Sequence, residues 1–216
     1  MHSGAVRVHE ARFSDVSEFY VYFGHEGLFG MNITSTIKPS DRAAWREWLE
    51  VHHGTEKEVW LLLDDRAGEQ ELSYLDAVEE ALCFGWIDGI QKRFTRFEQA
   101  QRFTPRRGRS NWTELNKERS RRLIRLGLMT EAGRAVLPDL DAPFSVPEDI
   151  AEAFRVEPGA WSNFLAFPEL YRRVRIRYVE ETRKNPAEFS RRLKSLLKRS
   201  SENRMFGNWN DGGRLA

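Results

Sequence analysis

The run ALCFGWIDGIQKRF, residues 81–94, changes its period in the middle. Up to Phe84 it continues a helical pattern that starts at SYLD. There Ser73 and Asp76 are spaced like a capping box, and Tyr74, Val78, Ala81 and Leu82 share one stripe. Beyond Gly85, WIDGIQKRF reads as a strand whose alternate residues point to opposite faces. Gly85 is therefore predicted to end a helix and send the chain into a sheet. A second strand over 99–104 is expected to return beside the first across a turn at 95–97. KEVWLLLD, residues 57–64, is short, apolar and bounded by polar residues; it supplies a buried strand, and RAGEQ after it reads as a turn.

Outward from this centre the pattern is helical. In KPSDRAAWREWLEVHHG, Ser40 is the expected N-cap, Trp45, Trp48, Leu49 and His52 form the inner stripe, and Gly54 is the stop. In SNWTELNKERSRRLIRLG, Ser110 is the expected cap, with Trp112, Leu115, Leu123 and Leu126 on the stripe and Gly127 as the stop. A short helix over 131–137 follows, and then PDLDAPFSVPED, whose prolines and aspartates read as a linker. Ser145, three residues before Glu148, opens a further helix through Phe154. Two more follow, with stripes Leu170, Val174, Tyr178 and Phe189, Leu193, Leu196, Leu197.

The expected fold is α+β, a small antiparallel sheet packed against helices, with a C-terminal all-helical appendage. Residues 1–38 read as an extension of short strands and turns, 39–137 as the core, 138–144 as the linker, 145–200 as the helical appendage and 201–216 as a flexible tail.

Thirty-four Lys and Arg against 33 Asp and Glu leave a formal charge of +1 over 216 residues, which argues against a globally polyanion-seeking protein. The bases do cluster over 92–125 and again over 172–199, so local positive surface is expected. No basic-apolar secretory start and no bilayer-length apolar run occur, so a cytoplasmic location without membrane insertion is expected. The single cysteine, Cys83, excludes an internal disulfide.

The chemistry is less legible. Adjacent His52 and His53 diverge by about 100° around a helix axis, so no metal site is predicted, and no cofactor motif of the GxxxxGK[ST] or GxGxxG kind occurs. Cys83, between Leu82 and Phe84, reads as a small buried hydrophobe. Asp88, flanked by apolar residues, needs a partner. Two readings stay open: an ion pair with Arg102, Arg106 or Arg107, or a carboxylate that lines a pocket. Guanidiniums ahead of a helix start suit an anion. The candidate ligand-binding set is Trp86, Asp88, Arg102, Arg106, Arg107, Ser110, Trp112 and Asn116, for a small anionic ligand or an acidic protein segment, with no catalytic residue assigned. Basic residues interleaved with aromatics keep nucleic-acid binding as an alternative, and an enzyme acting through Asp88 or Cys83 is another.

Four motifs in order over 40–137 resemble the YdeI/OmpD-associated family, also labelled bacteriocin-protection proteins: WLEVHHGTEKEVWLLL, LSYLDAVEEALCFGWIDG, QRFTPRRGRSNWTELNKER and LIRLGLMTEAG. From VPEDIAEAF through ELYRRVRIRYVEETRK the chain is similar, more thinly, to the family's C-terminal helices. The resemblance implies a stress-protection or accessory role and supplies no reaction. It marks as signature Cys83, Phe84, Gly85, Trp86, Asp88, Gly89, Gln101, Arg102, Phe103, Pro105, Arg106, Ser110, Trp112, Asn116 and Met129. A signature this polar implies a pocket.

Overall fold

A computed structural model describes backbone and side chains for residues 35–64, 71–96, 98–108 and 110–215, and backbone alone for four short strands before them. The strands are β1 (Val8–His9), β2 (Tyr20–Tyr22), β3 (His25–Glu26), β4 (Asn32–Ile33), β5 (Thr36–Lys38), β6 (Val59–Asp64), β7 (Trp86–Arg93) and β8 (Glu98–Pro105). The helices are α1 (Arg42–His52), α2 (Tyr74–Cys83), α3 (Glu114–Arg125), α4 (Glu131–Arg134), α5 (Glu148–Val156), α6 (Ala160–Ala166), α7 (Glu169–Glu180) and α8 (Pro186–Ser201). The turn expected at RAGEQ lies outside the described residues. The fold is α+β, and the chain divides into two compact units: Met1–Ser110 with Leu123–Leu137, and Asn111–Arg122 with Pro138–Ala216.

In the first unit the sheet order is β1-β2-β5-β6-β8-β7. The three expected strands are present and antiparallel, β7 to β8 and β8 to β6, but β5 joins β6 in parallel. The expected antiparallel sheet is thus present, and β5 extends it into a mixed one. The parallel pairing joins segments more than twenty residues apart, and no local turn signal announces it. Residues Val59–Leu63 are all buried, as a strand covered on both faces requires. Val59 stands opposite Phe103, which packs against Trp45 of α1 at 5.6 Å, while Trp60, Leu62 and Ala100 form a separate cluster.

Helix ends deviate from expectation by one to three residues. Asp41, not Ser40, caps α1 by accepting from the Ala44 N–H at 2.9 Å. Ser73 does cap α2. At α3 the Thr113 hydroxyl accepts from the Asn116 N–H at 3.1 Å, and Ser110 lies outside the helix. The end of α3 is a Schellman motif: the Leu128 N–H reaches the Leu123 carbonyl at 3.0 Å and the Gly127 N–H the Ile124 carbonyl at 3.0 Å, with Gly127 at φ +69°. Leu126, placed on the inner stripe from sequence, is exposed.

Two motifs meet where α2 ends. The Thr130 N–H and hydroxyl both reach the Cys83 carbonyl, at 3.1 and 2.5 Å, and Thr130 also caps α4. Buried Met129 and Gly133 complete this crossing. Gly85, at φ +75°, has Ala132 backbone against its open face.

The second unit is helical, with a core of Ile150, Phe154, Phe164, Tyr171, Ile176, Val179 and Leu196 among others. Pro147 rather than Ser145 stands at the start of α5, with no side-chain cap bond. The stripe of α7 is rotated by one residue: Tyr171, Arg175, Ile176 and Val179 are buried, in place of Leu170, Val174 and Tyr178. Arg175 can occupy an inner position because it lies against the rings of Tyr171, Tyr178 and Phe206 and donates to the Asn208 carbonyl at 3.0 Å. The segment after α8, expected to fray, is described through Leu215 and is tied down. Asp211 takes a two-pronged bond from Arg119 at 2.7 and 2.9 Å, and both residues are buried. That bond explains why 111–122, expected in the core segment 39–137, group with the C-terminal helices.

Candidate functional site

The register of the β7–β8 hairpin decides which arginine Asp88 can meet. Asp88 stands opposite Phe103, so its side chain lies on the face that carries Phe103. Arg102, one residue away, points to the other face and pairs with Glu58 through Nε at 2.9 Å. Of the three arginines expected as possible partners of Asp88, Arg102 is therefore taken by Glu58. Asp88 instead accepts from the Tyr74 hydroxyl of α2 at 2.7 Å.

Arg106 follows directly on β8, and its N–H donates to the Gly85 carbonyl at 2.8 Å. Its side chain is buried, at 6% exposure for the residue. Burial pushes the guanidinium down to about 10, and the charge of Asp88 acts in the opposite sense. The loop after it is open: Arg107 and Gly108 are exposed, and nothing lies within 4 Å of the position a Gly108 Cβ would take.

The other signature residues satisfy polar groups of the fold itself. Trp86 is 1% exposed and donates through Nε1 to the His53 carbonyl at 3.1 Å. The side-chain amide of buried Gln101 donates to the Gly89 carbonyl at 2.9 Å, inside the bulge between Asp88 and Gln91. Ser110 closes a turn on Arg107, accepting its N–H at 2.9 Å and donating its own to the Arg107 carbonyl at 2.8 Å. Asn116 accepts from Arg119 at 2.6 Å. Trp86, Asp88, Arg102, Arg106, Arg107 and Ser110 fall in the first unit, Trp112 and Asn116 in the second.

Sequence reasoning missed a charged cluster between α1 and α2. Arg42 donates to Glu80 at 2.6 Å, Asp76 at 2.8 Å and Glu79 at 3.0 Å, and Arg46 donates to Glu80 at 2.7 Å and to the Leu128 carbonyl at 3.1 Å. Glu79 and Glu80 are almost wholly buried. Their position beside Val78 and Ala81 on the inner side of a helix was the available signal.

Cys83 ends that helix at 0% exposure. Burial, and then the charge of Glu80, push its thiol up to about 12, so it is no thiolate nucleophile at neutral pH. The native thiol should resist iodoacetamide at pH 8 and react only on unfolding. Because its folded value lies above the unfolded value of 9.0, its contribution to stability is complete below pH 9 and is lost as pH rises through about 12. Denaturant melts at stepped pH should show that decline in the wild type and a shallower one in Cys83→Ala. At the end of α1 the imidazole of His53 contacts the Leu49 carbonyl at 2.8 Å. Among the described residues no group of three or more His, Cys, Asp or Glu is placed to hold a metal ion.

Residues 37–136 match a family model described as a domain of unknown function, DUF8412. The model described as "Bacteriocin-protection, YdeI or OmpD-Associated" matches residues 143–203. The family named by resemblance is thus found, but on the helical segment where the likeness had looked thinner. No curated protein and no solved structure matches the chain. Among the described residues no helix is long and apolar enough to cross a membrane. Over residues 143–203 the chain is thus similar to the bacteriocin-protection, YdeI or OmpD-associated family.

Proposed function

We propose that this chain is a cytoplasmic accessory protein that works by binding, and that Arg106 is the centre of a site for a small anion such as phosphate or a carboxylate. The observation that carries the reading is the setting of Arg106: a buried guanidinium at the end of β8, favoured by the charge of Asp88 and followed directly by the exposed Arg107–Gly108 loop. An anion brought through the open Arg107–Gly108 loop would meet that guanidinium together with the exposed Arg107. Tyr74 holds Asp88 in place and so fixes the polarity of the site.

Nucleic-acid binding has less support. Much of the basic surface on the C-terminal helices is matched within itself, as in Arg155 with Glu148, Arg173 with Glu169, Arg183 with Asp149, and Arg191 and Arg192 with Glu188. Matched charges release few counterions. Catalysis through Cys83 meets the raised thiol value described above.

Thermal melts of wild type and Arg106→Met in phosphate, citrate and a short oligonucleotide test the proposal. At a hundredfold excess over Kd, phosphate or citrate should raise the wild-type Tm by about 5–10 °C. Arg106→Met should lose the response, which separates binding from the general stabilisation that such salts give. A wild-type Tm that shifts no more than that of Arg106→Met up to about 50 mM anion would refute the reading.

A further inference from the structure

A cavity of about 350 Å³ lies wholly within the second unit and is independent of Arg106. Its charged lining is Glu118 and Arg121 from α3, Asp141 from the segment before α5, and Glu169 and Arg173 from α7. Each guanidinium already has its carboxylate: Arg121 donates to Glu118 at 2.8 Å and to the Leu140 carbonyl, and Arg173 to Glu169 at 2.8 Å. Asp141 is left over. Among the described residues it has no cationic partner; its backbone N–H bonds to Asp139, and its own side chain is exposed. The lining therefore carries one surplus negative charge.

The remaining lining is aliphatic: Leu140, Leu170 and Leu215. Leu215 comes from the C-terminal segment, and its place is fixed. Its N–H bonds to the Asn210 carbonyl at 3.0 Å, and Asp211 is anchored by Arg119. The wall is thus set by a buried ion pair instead of a loose end. Charge, size and the leucine wall select the ligand together, since an anion would face an unbalanced carboxylate and a purely polar cation would waste the leucines.

We propose that this cavity binds a small organic monocation with a short aliphatic chain, its ammonium beside Asp141 and its chain against Leu140, Leu170 and Leu215.

Titration of the full chain with n-pentylamine, followed by calorimetry or by the leucine methyl resonances, tests this, with pentanoate as the charge-reversed control. Pentylamine should bind saturably in the millimolar range, and pentanoate about tenfold or more weaker. Asp141→Asn, at an exposed position outside the core, should keep the wild-type Tm and weaken pentylamine about tenfold. Leu215→Ala should weaken pentylamine about threefold or more, through lost apolar contact. The proposal fails if pentanoate binds as well as pentylamine, if Asp141→Asn binds pentylamine like wild type, or if no saturable binding occurs up to about 100 mM. Arg106→Met should leave pentylamine binding unchanged, so the two binding proposals stand or fall separately.

Discussion

Gly133→Ala is expected to cost the first unit about 3 kcal/mol or more, enough to leave much of the protein unfolded at moderate temperature. A Cβ at that position would sit 2.5 Å from the Met129 Sδ and 2.8 Å from the Cys83 carbonyl carbon, and closer still to the Cys83 oxygen. The methionine can move. The carbonyl cannot, because it receives both the N–H and the hydroxyl of Thr130, and Gly85 just beyond it is pressed on Ala132 backbone. The clash is therefore with main chain at a helix end, where relaxation would break several bonds at once. Gly127→Ala provides the comparison: its φ is +69° but open space surrounds it, so only the left-handed strain of about 1–2 kcal/mol applies. Urea melts of the two variants should rank them in that order. Equal loss would mean that the contact at Gly133 relaxes, and that the LMTEAG motif is not required to pack against ALCFG.

How much of this was legible in the sequence depends on range. The switch at Gly85, the β7–β8 hairpin and the buried strand β6 were readable because each is encoded by a few neighbouring residues. The parallel partner β5, the rotated face of α7 and the return of the C-terminal segment were not. Arg119 and Asp211 lie 92 residues apart, and no local pattern links them. The candidate site was hidden by a deeper ambiguity. A polar side chain in an apolar run reports only that something must satisfy it, and a ligand, a neighbouring backbone group or an ion pair all meet that demand. Gln101 fills a bulge, Trp86 caps a carbonyl and Ser110 closes a turn, so much of the polar signature is spent on the chain's own amides and carbonyls. Asp88 turns instead to the Tyr74 hydroxyl, and Arg106 is buried at the end of β8. Arg102 was lost to them by the two-residue period of a strand, which was readable in principle once the register was known.

The cluster between α1 and α2 predicts the second large effect. Glu80→Gln should destabilise by about 2–4 kcal/mol, more than an exposed ion pair is worth. The carboxylate is 3% exposed and accepts from Arg42 Nε at 2.6 Å and Arg46 Nη1 at 2.7 Å. Glutamine offers one acceptor oxygen and a donor NH2, so one guanidinium must face a donor. The lower end of the range reflects the arginines, which are 33% and 27% exposed and can reach solvent. Glu50→Gln is the internal control, since Glu50 meets the same Arg46 at 3.4 Å but is 55% exposed; its loss should stay below about 0.5 kcal/mol. A second readout separates electrostatics from packing. Glu80 is, after burial, the main influence that raises the Cys83 thiol, so Glu80→Gln should lower the pH at which the native thiol ionises, while Glu50→Gln should not. Thiolate absorbance followed through the alkaline range would reveal the difference. A variant that lost stability without moving the thiol would make Glu80 a packing residue and break the link between the α1–α2 charges and the protection of Cys83.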